Sequence, residues 1–364
     1  MKFRELLGDS FLQTPKPNIY KNDFLDYVKT NLKKFEEKVD SLDDDEQVTI
    51  PQIRYKPAYV KEIVGILVDG LLECLELYLD GKITEAYNKL DATLNHERKR
   101  FYELIKQFKI DTQTDFYRIR TSNDNTLFTP AELFHIPYEL RGCVKNQRFS
   151  INGFPSLYLS SNLYTCWEEL QRPNLSDFQA IRFRSMYELS VLDLTPPKIS
   201  RITTRSHYRY LVTWPIIFAC SIRVKSKNDI FKPEYIIPQL LLQWVRQNDD
   251  IDCIRYFSTN IDHYTSGSKG DFSNFVFPVK SNAKKGYCSD LKATFHHTSP
   301  ISWQTYQMAT GGQTFSYLSD EFEAIDNKIQ HLEIIKNHSY PYSYSILGKL
   351  EHYLDNLETG EIEF

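Results

Sequence analysis

An α+β fold is the class this sequence predicts, on three observations. Apolar residues recur at helical spacing through roughly the first 110 residues, short β-rich runs broken by Gly, Pro, Asn and Asp follow, and helical patterns interrupt and then succeed those runs. The first helix is expected from Phe24, where Leu25, Val28, Leu32, Phe35 and Val39 step by three and four, and it should end at the acidic loop DSLDDDEQ. Prolines in IPQIRYKPAY argue for an extended connection. Val60 to Leu79 then reads as a strongly apolar helix stopped by Gly81. Ile83, Ala86, Tyr87, Leu90 and Leu94 mark another, with a pattern that runs on through HERKRFYELIKQF to about Lys109. Residues 1–110 are therefore expected to form a helical module.

From residue 111 the texture changes. Strands are expected at FYRIR, LYLS, LSVLDL, IIFACSIRV, CIRYFS and FSNFVFPV. Helices are expected at TCWEEL, at RSHYRYLVTW and at IPQLLLQWVR, where Pro238 suits a first turn because its missing N–H would have no partner there. This assigns an α+β domain to 111–285 and a helical extension to 286–364, built from FEAIDNKIQHLEII and YSILGKLEHYLDNL and packed on the preceding domain. No internal repeat is visible.

Composition narrows the function classes. With 41% apolar and 14% aromatic residues the chain can bury a core and line clefts, and its 364 residues exceed the ~250–300 at which one core usually stops growing. A net charge of −4 from 44 basic and 48 acidic residues supplies no global attraction to nucleic acid or anionic lipid, so neither is an expected partner. No apolar run approaches the ~18 residues needed to span a bilayer, and MKFRELLGDSF lacks the apolar stretch of a signal peptide; a cytoplasmic location is the expectation. The 6 cysteines have no CxxC spacing, so reduced thiols are expected, and neither a metal nor a resident cofactor is.

One ordered set of short motifs carries chemistry: FYRIR, then LFHIPYELRGCVKNQRFSINGFPSLYLSSNLYTCWEEL, then YIIPQLLLQWVRQNDDIDCIRYFSTN. This order, over about 115–280, resembles the RES domain family, whose members degrade NAD in an ADP-ribosyltransferase-like fold. The resemblance implies a mixed-sheet domain of that type and places the family's arginine, strand tyrosine and helix glutamate on Arg148, Tyr158 and Glu169, its serine on Ser258 and its earlier arginine on Arg118. Cys166 stands where the family usually has alanine, and the bulky Trp167 follows it.

These residue types suit cleavage of the bond between nicotinamide and ribose. Nicotinamide leaves as a neutral base from a cationic substrate, so the barrier asks chiefly for stabilisation of an oxocarbenium-like ribose, which the Glu169 carboxylate can supply. Arg148 and Arg118 can clamp the diphosphate bidentately, Tyr158 can stack on the nicotinamide ring, and Ser258 can hydrogen-bond ribose or amide. NAD is thus the expected substrate, with water or inorganic phosphate as acceptor.

Each assignment has a structural rival. Arg120 competes with Arg118, Glu168 with Glu169 as a helix-dipole residue, and Thr259 with Ser258 as a turn hydroxyl, while Tyr158 competes with a core role. His296 and His297 point to opposite faces of a strand and do not form a metal site, TGGQT lacks phosphate-loop spacing, and NHERKRF reads as a solvated helix face. The resemblance implies a toxin or defence effector restrained by an antitoxin or by the N-terminal helices, which would regulate, sense or drive homo-oligomer formation. Alternative readings are an ADP-ribosyltransferase acting on a macromolecule, and a silent NAD-binding module.

Overall fold

The computed structural model describes residues 1–14, 16, 19–21, 23–46, 48–50, 53–55, 57–95, 108–122, 127–196, 204–261, 269–310, 329–335 and 338–364. Its two compact units are not consecutive stretches of chain: unit 1 comprises Met1–Phe108, Lys145–Ile151 and Val191–Ile251, and unit 2 comprises Lys109–Val144, Asn152–Ser190 and Asp252–Phe364. The fold class is α+β, as composition and periodicity predict. The boundaries differ from the expected 1–110, 111–285 and 286–364, because two later segments join the N-terminal helices in unit 1.

Unit 1 is built mainly of helices: α1 (Phe3–Leu7), α2 (Phe24–Asp40), α3 (Pro57–Leu79) and α4 (Ile83–Leu94), with a hairpin of β1 (Val48–Ile50) and β2 (Ile53–Tyr55) between α2 and α3. The segment IPQIRYKPAY thus contributes a strand to that hairpin. Helix α2 starts because the Asp23 carboxylate accepts from the N–H groups of Leu25 and Asp26, and it buries Phe24, Val28, Leu32, Phe35 and Val39 on one stripe. Gly70 on α3 leaves room for Thr93 of α4, since a Cβ there would stand 2.3 Å from the Thr93 hydroxyl. The expected continuation of α4 through HERKRFYELIKQF, the NHERKRF face included, falls largely outside the described residues.

Strand β3 (Phe108–Ile110) carries the chain from unit 1 to unit 2. Unit 2 then forms β4 (Asp115–Thr121), β5 (Ser156–Ser160), α5 (Leu163–Glu169) and β6 (Phe178–Ser185), and β7 (Leu189–Leu194) leads back to unit 1. There the chain adds α6 (Thr204–Ser221) and α7 (Ile236–Gln247). The run IIFACSIRV, expected as a strand, begins inside α6. Ile216, Ile217, Phe218, Ala219 and Cys220 are all buried, so this helix is apolar all round and shows no period that would separate it from a core strand. Trp214 anchors unit 1: it stacks on Phe35 at 4.3 Å and on Phe218 at 5.1 Å, and its indole N–H donates to the Leu12 carbonyl at 2.9 Å.

The remainder of unit 2 comprises β8 (Cys253–Phe257), β9 (Lys269–Gly270), β10 (Ser273–Pro278), α8 (Ser289–Thr294), β11 (Phe295–His297), β12 (Ile301–Ser302), α9 (Trp303–Thr310), β13 (Ile329–Ile335), β14 (His338–Pro341) and α10 (Ile346–Asp355). Strands β11, β6, β4, β5, β10 and β8 lie in that order, each antiparallel to its neighbour, with β12 also on β6. Successive residues of β4 feed opposite cores: Phe116 meets Phe275, Phe277 and Phe295 edge-on, whereas Tyr117 and Ile119 join Leu163, Tyr164, Leu350 and Leu354. Strand β4 pairs with β6 from Asp115 to Thr121, but meets β5 at one residue pair, Tyr117 opposite Ser160. The two halves of the sheet therefore part beside Arg118 and Tyr158.

The region 286–364 is not wholly helical. The expected helix FEAIDNKIQHLEII contains strand β13 over its described part, paired with β14 and β9. Ile329 and Leu332 are both fully buried, three residues apart as on a helix, because a register shift between Ile329 and His331 breaks strict alternation. TGGQT lies outside the described residues from Gly311 on. Among the described residues no helix is long and apolar enough to cross a membrane.

Gly348 in the first turn of α10 is a packing requirement: a Cβ would stand 2.1 Å from the Tyr342 carbonyl oxygen, which is backbone and cannot yield. Gly348→Ala is expected to cost about 2–4 kcal/mol, read as a lowered thermal midpoint. An unchanged midpoint would show that α10 and the turn at Tyr342 are less closely packed.

Candidate functional site

The site in unit 2 is assembled from β4, β5, α5, β8 and β10. Helix α5 begins where the Asn162 side chain accepts from both the N–H and the hydroxyl of Thr165, each at 2.8 Å. A second anchor is the fully buried Glu351 of α10, whose Oε2 accepts from the Leu163 N–H at 2.8 Å and from the Tyr342 hydroxyl at 2.7 Å. Negative charge at a helix N-terminus is favourable, and these donors offset the burial of the carboxylate. Burial first, and then the Glu351 charge, hold the Tyr342 phenol well above its ordinary range.

Glu169 is the last residue of α5. Its Oε1 accepts from the Asn274 amide at 2.8 Å and its Oε2 from the Asn260 amide at 2.9 Å. Asn274 is buried on β10, opposite Ser160, whose hydroxyl donates to Asn274 Oδ1 at 2.6 Å. Asn260 is exposed, and its backbone N–H donates to Ser258 Oγ at 3.2 Å. A continuous chain of hydrogen bonds thus runs Ser258, Asn260, Glu169, Asn274, Ser160. Glu168, the neighbouring alternative, is occupied: Arg172 grips it bidentately at 3.0 and 2.8 Å.

Arg118 closes this group on β4. Its Nη1 is buried without a hydrogen-bond partner. Burial, followed by the Arg120 guanidinium, lowers its pKa to about 10, against the opposing pull of Cys166 and Tyr158 nearby; it remains a cation at neutral pH. Arg120 is exposed instead, donating to the Glu132 carbonyl and lying 4.6 Å from the Phe128 ring centroid. The Cys166 thiol is pushed up to about 12, chiefly by burial, with Ser160 and Arg118 lowering it and Glu351 and Glu169 raising it, so it stays protonated and is no nucleophile. Cys166 therefore lies within electrostatic reach of both Arg118 and Glu169. A buried guanidinium N–H without an acceptor is costly, and an anionic group would satisfy it.

Of the five residues singled out from sequence, Arg118, Tyr158, Glu169 and Ser258 belong to unit 2. Ser258 is fully buried at the turn after β8 and serves Asn260 there, as a turn hydroxyl would. Arg148 belongs to unit 1, where its Nη1 donates to the Cys220 carbonyl at 3.0 Å near the C-terminus of α6, and its guanidinium lies 5.3 Å from the Tyr235 ring centroid. Asn260, Asn274 and Ser160 were not singled out from sequence: each is an ordinary polar residue in or beside a strand, and only register joins them. Among the described residues no cluster of His, Cys, Asp or Glu could hold a metal ion.

Known proteins add one relative to this geometry. Over 305 residues the sequence is 36% identical to a Bacillus subtilis (strain 168) protein, the matched region making up 78% of this chain and 66% of the relative. That relative is named "Putative toxin YopC". The chain spans about two thirds of the relative's length. No family profile matches the chain, and no solved structure matches it.

Two measurements follow from these contacts. His135 is buried and neutral: its Nε2 accepts from the Cys288 N–H at 2.9 Å while Nδ1 faces the Ile136 carbonyl at 2.8 Å, and burial above all lowers its pKa to about 4. The unfolded chain binds this proton near pH 6.5 and the folded one only near 4, so stability is lost as pH falls between those values, by roughly 3 kcal/mol. His135→Gln is expected to flatten that loss in denaturant titrations. Arg148→Ala is expected to cost about 1–2 kcal/mol of thermal stability through the lost cap and ring contact. Full stability combined with lost turnover would instead mark Arg148 as a substrate-binding group.

Proposed function

We propose that unit 2 carries an NAD-cleaving site in an ADP-ribosyltransferase-like domain of the RES type, and that the protein acts as a toxin or defence effector. The observation that carries this reading is that Cys166 lies within electrostatic reach both of Glu169, pinned by two amide donors, and of Arg118, whose buried Nη1 has no hydrogen-bond partner. A fixed carboxylate beside an unspent guanidinium suits a substrate with a cationic reacting centre and an anionic tail, and NAD has both. The ordered motifs whose resemblance places the family's tyrosine and glutamate on Tyr158 and Glu169 support the same reading, as does similarity to a protein named as a putative toxin.

In this scheme Arg118 takes the diphosphate, and Tyr158, on the strand that parts from β4, stacks on the nicotinamide ring. As the C–N bond lengthens, the bonding pair leaves with nicotinamide and positive charge grows on the ribose, where the Glu169 carboxylate stabilises it. Water or inorganic phosphate then adds to the ribose carbon, and its proton passes to solvent. Ser258 contributes through Asn260. An antitoxin would restrain this activity by covering the same residues.

Incubating the full chain with NAD, with and without phosphate, is expected to release nicotinamide. Glu169→Gln should lower turnover by about 10²-fold or more while retaining the thermal midpoint. A labelled macromolecule in place of free ADP-ribose or its phosphate would indicate a transferase. Tight NAD binding with no release under either condition would leave a silent binding module.

A further inference from the structure

Deepening that reading, and resting on it for the role of Glu169, we infer that Asn274 is a positioning residue that aims the Glu169 carboxylate. Asn274 sits within β10, in a run Ser-Asn-Phe-Val-Phe-Pro whose residues are all buried, and it faces Ser160 on β5 and Tyr256 on β8. A carboxamide in such a strand is costly unless both its ends are satisfied. An ionised carboxylate can only accept, so the Nδ2 end must face Glu169, and the Oδ1 end then receives the Ser160 hydroxyl. Glu169 is partly exposed at the C-terminal end of a seven-residue helix, where side chain and backbone have the most freedom. Asn274 removes that freedom at one oxygen from inside a paired strand. Asn260 bonds the other oxygen from an exposed turn, where a ligand hydroxyl can replace it.

A group that holds the carboxylate in place acts on the step in which positive charge develops, more than on substrate affinity. In the full chain, Asn274→Leu is expected to lower kcat by roughly 30–100-fold with KM within about twofold, in line with loss of a buried charge-assisted hydrogen bond. Combined with Glu169→Gln it should add nothing, because it acts only through that residue. Asn274→Asp makes the sharper prediction. When both carboxylates are ionised they repel, but once the pair holds one proton the new acid donates to Glu169 as the amide does, so activity should return as pH falls. Among the described residues, Cys166, itself within reach of Arg118, lies within electrostatic reach of Glu169, and Tyr256 stands opposite Asn274; Cys166 stays protonated throughout. Should Asn274→Leu fail to fold, Ser160→Ala, which frees the amide to turn over, is expected to lower kcat by a smaller factor in the same non-additive way.

An arm without turnover separates this inference from the function it rests on. The side-chain amide protons of Asn274, assigned in nitrogen-labelled protein by their absence in Asn274→Asp, should shift in Glu169→Gln and stay in place in Glu168→Gln. If that holds while the wild type releases no nicotinamide, the proposed function fails and the positioning stands. Full turnover in folded Asn274→Leu, an added loss on top of Glu169→Gln, or an amide signal indifferent to Glu169 would each overturn the inference.

Discussion

Helix α5 has seven residues, too few for its own hydrogen bonds to hold it, so its direction is imposed from both ends. Asn162 and Glu351 fix where it starts, and Asn274 and Asn260 fix the side chain with which it stops. The buried Glu351 carboxylate is the costliest of these groups to place, since a charge removed from water must be compensated by donors. A main-chain N–H and a phenol meet it. That requirement explains why α10 must lie close to the turn at Tyr342, and hence why a glycine occupies position 348.

A second buried ion group braces the other edge of β4. Asp115 receives Arg184 at 2.7 and 2.8 Å and the almost wholly buried Arg182 at 3.2 Å, and Arg182 also donates to the Leu357 carbonyl. Isolated surface pairs add little to stability, but a half-buried network around an enclosed arginine is expensive to break on one side only. It fastens β4 to β6, and strand β4 is thus paired along its length on the β6 side and at one residue pair on the β5 side.

Periodicity foretold much of this architecture. Helices α2, α3 and α7, strands β4, β5, β8 and β10, and the amphipathic α10 all lie where the sequence pattern puts them. It failed where burial has no period. Residues 216–220 are enclosed on every side and sit in a helix, and strand β6 is buried at seven of its eight residues and carries no alternation to notice. At β13 a register shift imitates helical spacing. For the site, the order of motifs singled out Glu169 and Arg118, residues whose types are uncommon in half-buried positions without a task. Spacing could not indicate that Arg148 would be held by Cys220 and Tyr235, nor that Asn260 and Asn274 would meet one carboxylate, because strand register is a property of the folded chain.

The bond between Leu163 and Glu351 spans 188 positions of sequence. During synthesis Glu169 is therefore made long before the group that sets its helix in place, and a nascent chain ending at β10 already carries Glu169, Asn274 and Arg118 without that brace. Helix α5 gains that brace only once translation has passed α10.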